Sequence, residues 1–288
     1  MTKPKPRLNA IKRSILYVPG SNDRALEKIR SLDADGFIID LEDAVAPSVK
    51  IEARHKTCEF LKTKNENNSN FIIRINSLNS EWGIDDLNEV CLAGAKTILL
   101  PKVETEDDIK RCTASLADKN ITLWAMIETP LGVLSAQQIA TADERLTCLV
   151  MGTSDLVNDL RAQHTPDRLP ILYSLSHTIL AARAAGIEII DGVHLNLSDQ
   201  PAFEQSCKQA KELGFDGKSL IHPSQIEMAN KIFAPSTEEI NHSHKIIAAY
   251  TTALEEGSGV VLLDGNLIEN LHVQNAKRIL DIAKQINK

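Results

Sequence analysis

Short apolar runs, rich in β-branched and aromatic residues, recur along the chain. Each is closed by turn residues or a polar residue and leads into a stretch with helical spacing. The first, SILYV (14–18), stops at Pro19-Gly20, and Ala25, Ile29 and Leu32 then mark a helix over 22–32. GFIID (36–40) precedes a helix over 47–62, and FIIRI (71–75) precedes one near 84–92. TILLP (97–101) precedes one near 105–117, whose acidic start suits the positive end of the helix dipole. ITLWAMI (121–127) leads through a helix-like segment to CLVMG (148–152), and a helix over 169–185 follows. IEIIDGV (187–193), a helix at 200–213 ended by Gly214, and FDGKSLI (215–221) complete the series.

Strands alternating with helices of about 10–15 residues make parallel βαβ units. Runs this continuously apolar suit strands covered on both faces. Eight units predict a closed (β/α)8 TIM barrel with a C-terminal helical extension, rather than an open doubly wound sheet. The glycine-rich phosphate turn of a dinucleotide fold is also missing after the first run. The expected organisation is a basic arm (1–13), the barrel (14–232) with an extra helix near 223–232 after its eighth strand, and an extension (233–288) with helices near 236–256 and from 271, the extension docking on a neighbouring subunit.

Barrel enzymes carry their chemistry at the C-terminal ends of the strands, and polar residues gather there in this chain. Asp40, Glu42 and Asp43 follow the second run. Arg74 and Asn76 close the third, and Lys102 and Glu104 the fourth. Glu128 ends the fifth, and Ser154 and Asp155 follow the sixth. His194 and Asn196 follow the seventh, and His222-Pro223 the eighth. The N-terminal ends of the same runs are plain.

Glu128 and Asp155 read as ligands of a hard cation, which takes one or two carboxylates and completes its shell with water and substrate. Each has an alternative as a helix cap; their position on consecutive strand ends favours the shared cation. Arg74, between Ile73 and Ile75, offers a two-point fork to a substrate carboxylate, or else a buried ion pair with Asp40 or Glu42. Lys102 is a Schiff-base candidate, but Glu104, Asp40 and Glu42 would keep it charged and paired. The acids at 40–43 either support metal-bound water or pair with Lys50 and Arg54. His222 either caps the turn at Pro223 or bridges. Lys12, Arg13 and Arg24 are readable as solvated surface or as partners for phosphate.

Composition narrows the class. The 288 residues are 43% hydrophobic, enough for a sizeable core, and the net charge of −7 argues against a nucleic-acid surface. No apolar run approaches the ~20 residues of a membrane span, and the basic N-terminus lacks an apolar continuation, so a cytoplasmic protein is expected. Five cysteines without a paired spacing read as free thiols.

The combination RSILYVPGSNDRALEK, DGFIIDLEDAVAPSVKIEAR, FIIRIN, ILLPKVET, MIETPLGVLSAQQIA, GTSDL and GFDGKSLIHPSQIEMANKIFAPSTEEI resembles the citrate lyase β-subunit-like branch of the HpcH/HpaI aldolase family, from about residue 13 to the end. The resemblance implies a homotrimeric TIM barrel. It implies Mg²⁺, with Mn²⁺ able to replace it, and making or breaking of C–C bonds in hydroxyacyl thioesters. It places the metal on Glu128 and Asp155 and the carboxylate grip on Arg74, with the backbone after Gly152 (Thr153, Ser154) beside the same carboxylate. Asp40, Glu42 and Asp43 fall on the family's D-L-E-D motif and, with Lys102, form a supporting shell. The aspartate that reaches a neighbouring subunit's site is replaced here by Glu269, with Asp264 as the second acid.

His222-Pro223-Ser224-Gln225 and Gly152-Thr153-Ser154-Asp155-Leu156 depart from the Asn-Pro-Arg-Gln and Gly-Ala-Glu-Asp-Tyr of citrate lyase β chains. The departures favour a stand-alone citramalyl-CoA or malyl-CoA lyase releasing acetyl-CoA plus pyruvate or glyoxylate. A malyl-CoA thioesterase, or a citrate lyase β subunit acting on a carrier-bound substrate in a complex, is the alternative.

Overall fold

The computed structural model describes residues 11–63, 70–116, 118 and 120–286. Eight parallel strands close in sequence order into a barrel: β1 (Ser14–Pro19), β2 (Gly36–Asp40), β3 (Phe71–Arg74), β4 (Thr97–Leu100), β5 (Thr122–Ile127), β6 (Leu146–Met151), β7 (Glu188–Asp191) and β8 (Gly217–Leu220). β8 returns to β1 through the register Ser14↔Lys218. The chain is therefore a (β/α)8 barrel, as the alternation of apolar runs predicts.

Alternate residues of β1 to β7 fill the interior, where Ile15, Ile38, Ile72, Leu99, Trp124, Cys148, Val150 and Ile190 form one apolar cluster with Met126. Because side chains alternate with period two, three of these columns continue to polar residues at the C-terminal mouth. Asp40 follows Ile38, Arg74 follows Ile72 and Glu128 follows Met126. Asp40 and Arg74 are also register partners across β2 and β3. The other end of the barrel is closed by basic residues: Lys12 pairs with Glu188 and lies over the Trp124 ring, and Arg13 forks onto Asp35. Neither is solvated surface or a phosphate partner at the mouth. Residues 1–10 of the expected arm lie outside the described residues.

The helices are α1 (Asp23–Lys28), α2 (Lys50–Lys62), α3 (Gly83–Leu92), α4 (Glu106–Ser115), α5 (Pro130–Leu134), α6 (Ala136–Ala140), α7 (Thr153–Asp159), α8 (Leu172–Ala185), α9 (Gln200–Leu213), α10 (Ile226–Phe233), α11 (Thr237–Glu255) and α12 (Asn270–Ile286). The segment between β5 and β6 is two short helices broken at Ser135, and α7 is an added helix that apolar spacing does not announce. α4 opens on a capping box between Thr105 and Asp108.

The chain divides into two compact units, up to Asn230 and from Lys231 onward. In the second, α11 and α12 pack through Ile246, Tyr250, Val273 and Ala276, joined by Ile268 of a hairpin between β9 (Val261–Leu263) and β10 (Asn266–Ile268). Its turn is Asp264-Gly265, with φ of +50° and +79°; two positive φ values are what a two-residue type I′ turn requires. No described helix is long and apolar enough to cross a membrane. All five cysteines are free thiols.

Candidate active site

A cavity of about 330 Å³ opens at the C-terminal ends of the strands. Asp40, Arg74 and Glu128 line it from β2, β3 and the end of β5, and residues 151–155 line it from the β6–α7 junction. The structure thus brings together Asp40, Asp43, Arg74, Glu128, Gly152, Thr153, Ser154 and Asp155. Glu42 and Lys102 join them through ion pairs.

Arg74 is buried and makes the ion pair that its position allowed. Nε and Nη2 fork onto Asp40 at 2.7 and 2.6 Å, and Nη1 lies 3.1 Å from Glu42 Oε2. Its guanidinium stands over the Tyr17 ring at 5.0 Å, and Nη1 touches Met126 Sδ at 3.6 Å. Burial works against its charge, but the surrounding acids more than restore it, so it stays cationic. Asp40 also accepts from the backbone N–H groups of Glu42 (2.8 Å) and Ala44 (3.0 Å). Four donors saturate it, so Asp40 positions Arg74.

Pairing of the 40–43 acids with Lys50 and Arg54 does not occur. Lys50 donates to Leu41 O, Glu42 O and Asn76 Oδ1, while Arg54 pairs with Asp86 and Glu89. The acids face Arg74 and Lys102 instead. Lys102 Nζ lies 3.2 Å from Glu42, 3.9 Å from Asp43 and 3.3 Å from Asp155. Burial lowers the affinity of that ammonium for its proton, and the acids outweigh the burial and raise it, so Lys102 is a poor Schiff-base nucleophile. Lys102 has a φ of +52°, in the left-handed region, and its backbone N–H donates to Glu128 Oε1 at 2.7 Å. One residue thus serves both acids of the expected metal pair, and a cation in front of Asp155 must share that carboxylate with the ammonium or displace it.

Neither Glu128 nor Asp155 is a helix cap. The cap of α5 is Thr129, which accepts from Gly132 N–H, and α7 has Gly152 at its cap with no side-chain hydrogen bond. Glu128 is 2% exposed. Burial, reinforced by Glu42, pushes its carboxyl up to about 8. Burial also raises Glu42, whose Oε2 is buried with no hydrogen-bond partner among the described residues. Five carboxylates (Asp40, Glu42, Asp43, Glu128 and Asp155) therefore face two fixed cations, Arg74 and Lys102.

A site so short of positive charge, with oxygen donors only, fits Mg²⁺. Among the described residues no three such side chains are arranged to hold one ion; two carboxylates with the remaining positions open to water and substrate are the Mg²⁺ pattern. Gly152 keeps the place clear: a Cβ there would run into the Glu128 Cβ and lie 2.6 Å from its Oε2.

Asp264 and Glu269 belong to the second unit. Asp264 is exposed at the hairpin turn, and the Glu269 backbone N–H donates to His272 Nδ1. His222 caps its turn, accepting from Ser224 N–H, and is absent from the cavity wall. The wall also includes Tyr17, Met126, Val193, Ser219 and Ile221, none of which is among the polar residues that close the apolar runs. Tyr17 was findable by parity, two residues beyond Ile15.

Comparison with known proteins gives the family. The chain is 44% identical over 274 residues to a (3S)-malyl-CoA thioesterase of Cereibacter sphaeroides, covering 95% of each chain. It is 35% identical over 289 residues to citrate lyase subunit beta of Escherichia coli, covering 96% of this chain and 95% of that protein. The crystal structure of CitE from Mycobacterium tuberculosis in complex with magnesium, acetoacetate and coenzyme A matches with a TM-score of 0.81 at 26% identity, over 96% of this chain and 99% of that one. The sequence profile of HpcH/HpaI aldolase/citrate lyase matches residues 13–223, and the chain belongs to that family.

Proposed function

We propose that this chain is a Mg²⁺-dependent carbon–carbon lyase that cleaves a 3-hydroxy-3-carboxyacyl-CoA, of the citramalyl or malyl type, to acetyl-CoA and pyruvate or glyoxylate. The observation that carries the reading is the meeting, in one cavity, of a buried Glu128 and a partly exposed Asp155, neither of them a helix cap, with the guanidinium of Arg74. The cavity volume is at the small end of ligand sites and suits the acid end of the thioester.

Glu128 and Asp155 would hold the ion. A bound Mg²⁺ supplies Lewis acidity that favours loss of the hydroxyl proton from a chelating hydroxy acid. Arg74, fixed by Asp40, orients the substrate carboxylate and with it the scissile bond. Donors at the start of α7, after Gly152, face the same carboxylate. Cleavage leaves the enolate of acetyl-CoA, which needs a proton at carbon. Glu269 of a neighbouring copy is the assigned acid, with Asp264 the second candidate, and such transfer contributes roughly 10²–10⁴-fold. The chain would accordingly act as a homo-oligomer, a trimer by family resemblance.

Thioester hydrolysis is the second reading, favoured by the similarity to a malyl-CoA thioesterase over nearly the whole chain. The same ion and acids would direct water at the thioester carbonyl. The test is incubation of the purified chain and Mg²⁺ with malyl-, methylmalyl- and citramalyl-CoA, with products read by mass. Acetyl- or propionyl-CoA with an oxo acid supports lysis. Free CoA with an intact hydroxy diacid supports hydrolysis and refutes lysis.

A further inference from the structure

Tyr17 sits in the wall of the cavity and has no part in the chemistry above. Its hydroxyl is buried and lacks a hydrogen-bond partner among the described residues. Leaving a buried hydroxyl unpaired costs free energy comparable to a lost hydrogen bond, so the feature calls for a partner that arrives from outside. The ring cannot turn freely away, because it lies inside the barrel mouth under the guanidinium of Arg74 at 5.0 Å.

Arg74 is meanwhile short of donors for a ligand. Its Nε–Nη2 edge is held by Asp40, and Nη1 faces Glu42. A carboxylate arriving at Arg74 thus meets a guanidinium with one edge committed and, on the same wall, an uncommitted phenol. Burial and the charges of Asp40, Glu128 and Glu42 oppose loss of the phenolic proton and outweigh the pull of Arg74, so the group is a donor and not a base.

We propose that Tyr17 is a substrate-binding residue whose hydroxyl donates to the carboxylate of the oxo or hydroxy acid held at Arg74. The proposal rests on the lyase reading in one respect, that the cavity receives such an acid. It makes recognition of the carboxylate a joint task of a cationic and a neutral donor rather than of an arginine fork alone.

Tyr17→Phe removes the one oxygen and keeps the ring under Arg74. The test is calorimetric titration of wild type and variant with pyruvate and with glyoxylate in saturating Mg²⁺, together with thermal unfolding of both proteins without ligand. The expected result is a Kd raised roughly 10- to 100-fold in the variant, as for loss of a hydrogen bond to a charged group, with an unfolding midpoint unchanged or higher. Equal affinity in the two proteins overturns the proposal. So does a variant that unfolds earlier and binds as well as wild type, since the hydroxyl would then serve the fold. A wild type that binds neither oxo acid defeats the lyase reading, and the proposal with it; that failure is distinguishable because it shows in the unmutated protein.

Discussion

Glu128 and Gly152 pack so closely that a side chain on the glycine has nowhere to go: a methyl group would meet the Glu128 Cβ and lie 2.6 Å from Oε2. Gly152 has a φ of −97°, so its backbone makes no demand for glycine. The demand is for space beside a carboxylate that must hold one orientation. Gly152→Ala is therefore expected to fold but to turn Glu128 out of place and weaken divalent-metal binding at least about tenfold. Mn²⁺ titration followed by electron paramagnetic resonance checks it, and unaltered affinity would show that the close packing serves the fold alone.

The elevated Glu128 carboxyl gives the metal site a pH dependence of definite sign. In the folded, metal-free chain it titrates at about 8, above the ordinary carboxylate value. The folded state thus keeps a proton that the unfolded state has released, and this group's contribution to stability falls as pH rises from about 4–5 to about 8. A divalent cation binds the ionised form and must expel that proton. Affinity for Mg²⁺ should climb by up to about tenfold per pH unit below about pH 8 and level off above it. Isothermal titration in buffers of different ionisation heat reads the proton release directly; a flat affinity between about pH 6 and 8 would refute the coupling.

Arg74 combines a structural and a binding duty, and two substitutions separate them. Arg74→Ala leaves Asp40 buried without its cation, a change that typically costs about 3–5 kcal/mol. The two backbone donors that Asp40 keeps should hold the loss to the lower end, and urea unfolding measures it. Arg74→Lys preserves the charge but not the fork. Lysine cannot both hold Asp40 and present a further nitrogen to the oxo acid, so in the condensation direction KM for that acid is expected to rise at least about tenfold, and an unchanged KM would remove Arg74 from substrate binding.

Assignment of the proton to Glu269 of another copy predicts complementation. Chains carrying Glu269→Ala and chains carrying Arg74→Ala should each be inactive, and mixed oligomers should regain part of the activity, because some sites then draw both intact residues. Demonstrated mixed oligomers with no recovery would place the acid elsewhere.

The barrel was legible because its strands are apolar on both faces and separated by turn residues, so each announces itself without reference to the others. The candidate site residues were legible for a related reason: each is a polar residue closing an apolar run, and period-two alternation then sets Asp40, Arg74 and Glu128 at the mouth above Ile38, Ile72 and Met126. What sequence spacing leaves open is the choice among partners. Arg74 with Asp40 and Lys50 with Asn76 depend on the register of the neighbouring strands β2 and β3, and Lys102 with Asp155 on the curvature that brings the non-adjacent loops after β4 and β6 together. Tyr17 is hidden at the level of sequence because an aromatic residue inside an apolar strand reads as core. The Asp264-Gly265 hairpin was available from its dipeptide alone, between VVLL and NLI, but the chain around it is dominated by helical spacing.

The most direct measurement is the stoichiometry and affinity of Mn²⁺ binding to wild type, Glu128→Gln and Asp155→Asn, each first shown to be folded by circular dichroism. One tight site per chain in the wild type, lost or weakened at least about a hundredfold in both variants, is the expected result. Undiminished binding in either variant would contradict a cation shared by Glu128 and Asp155.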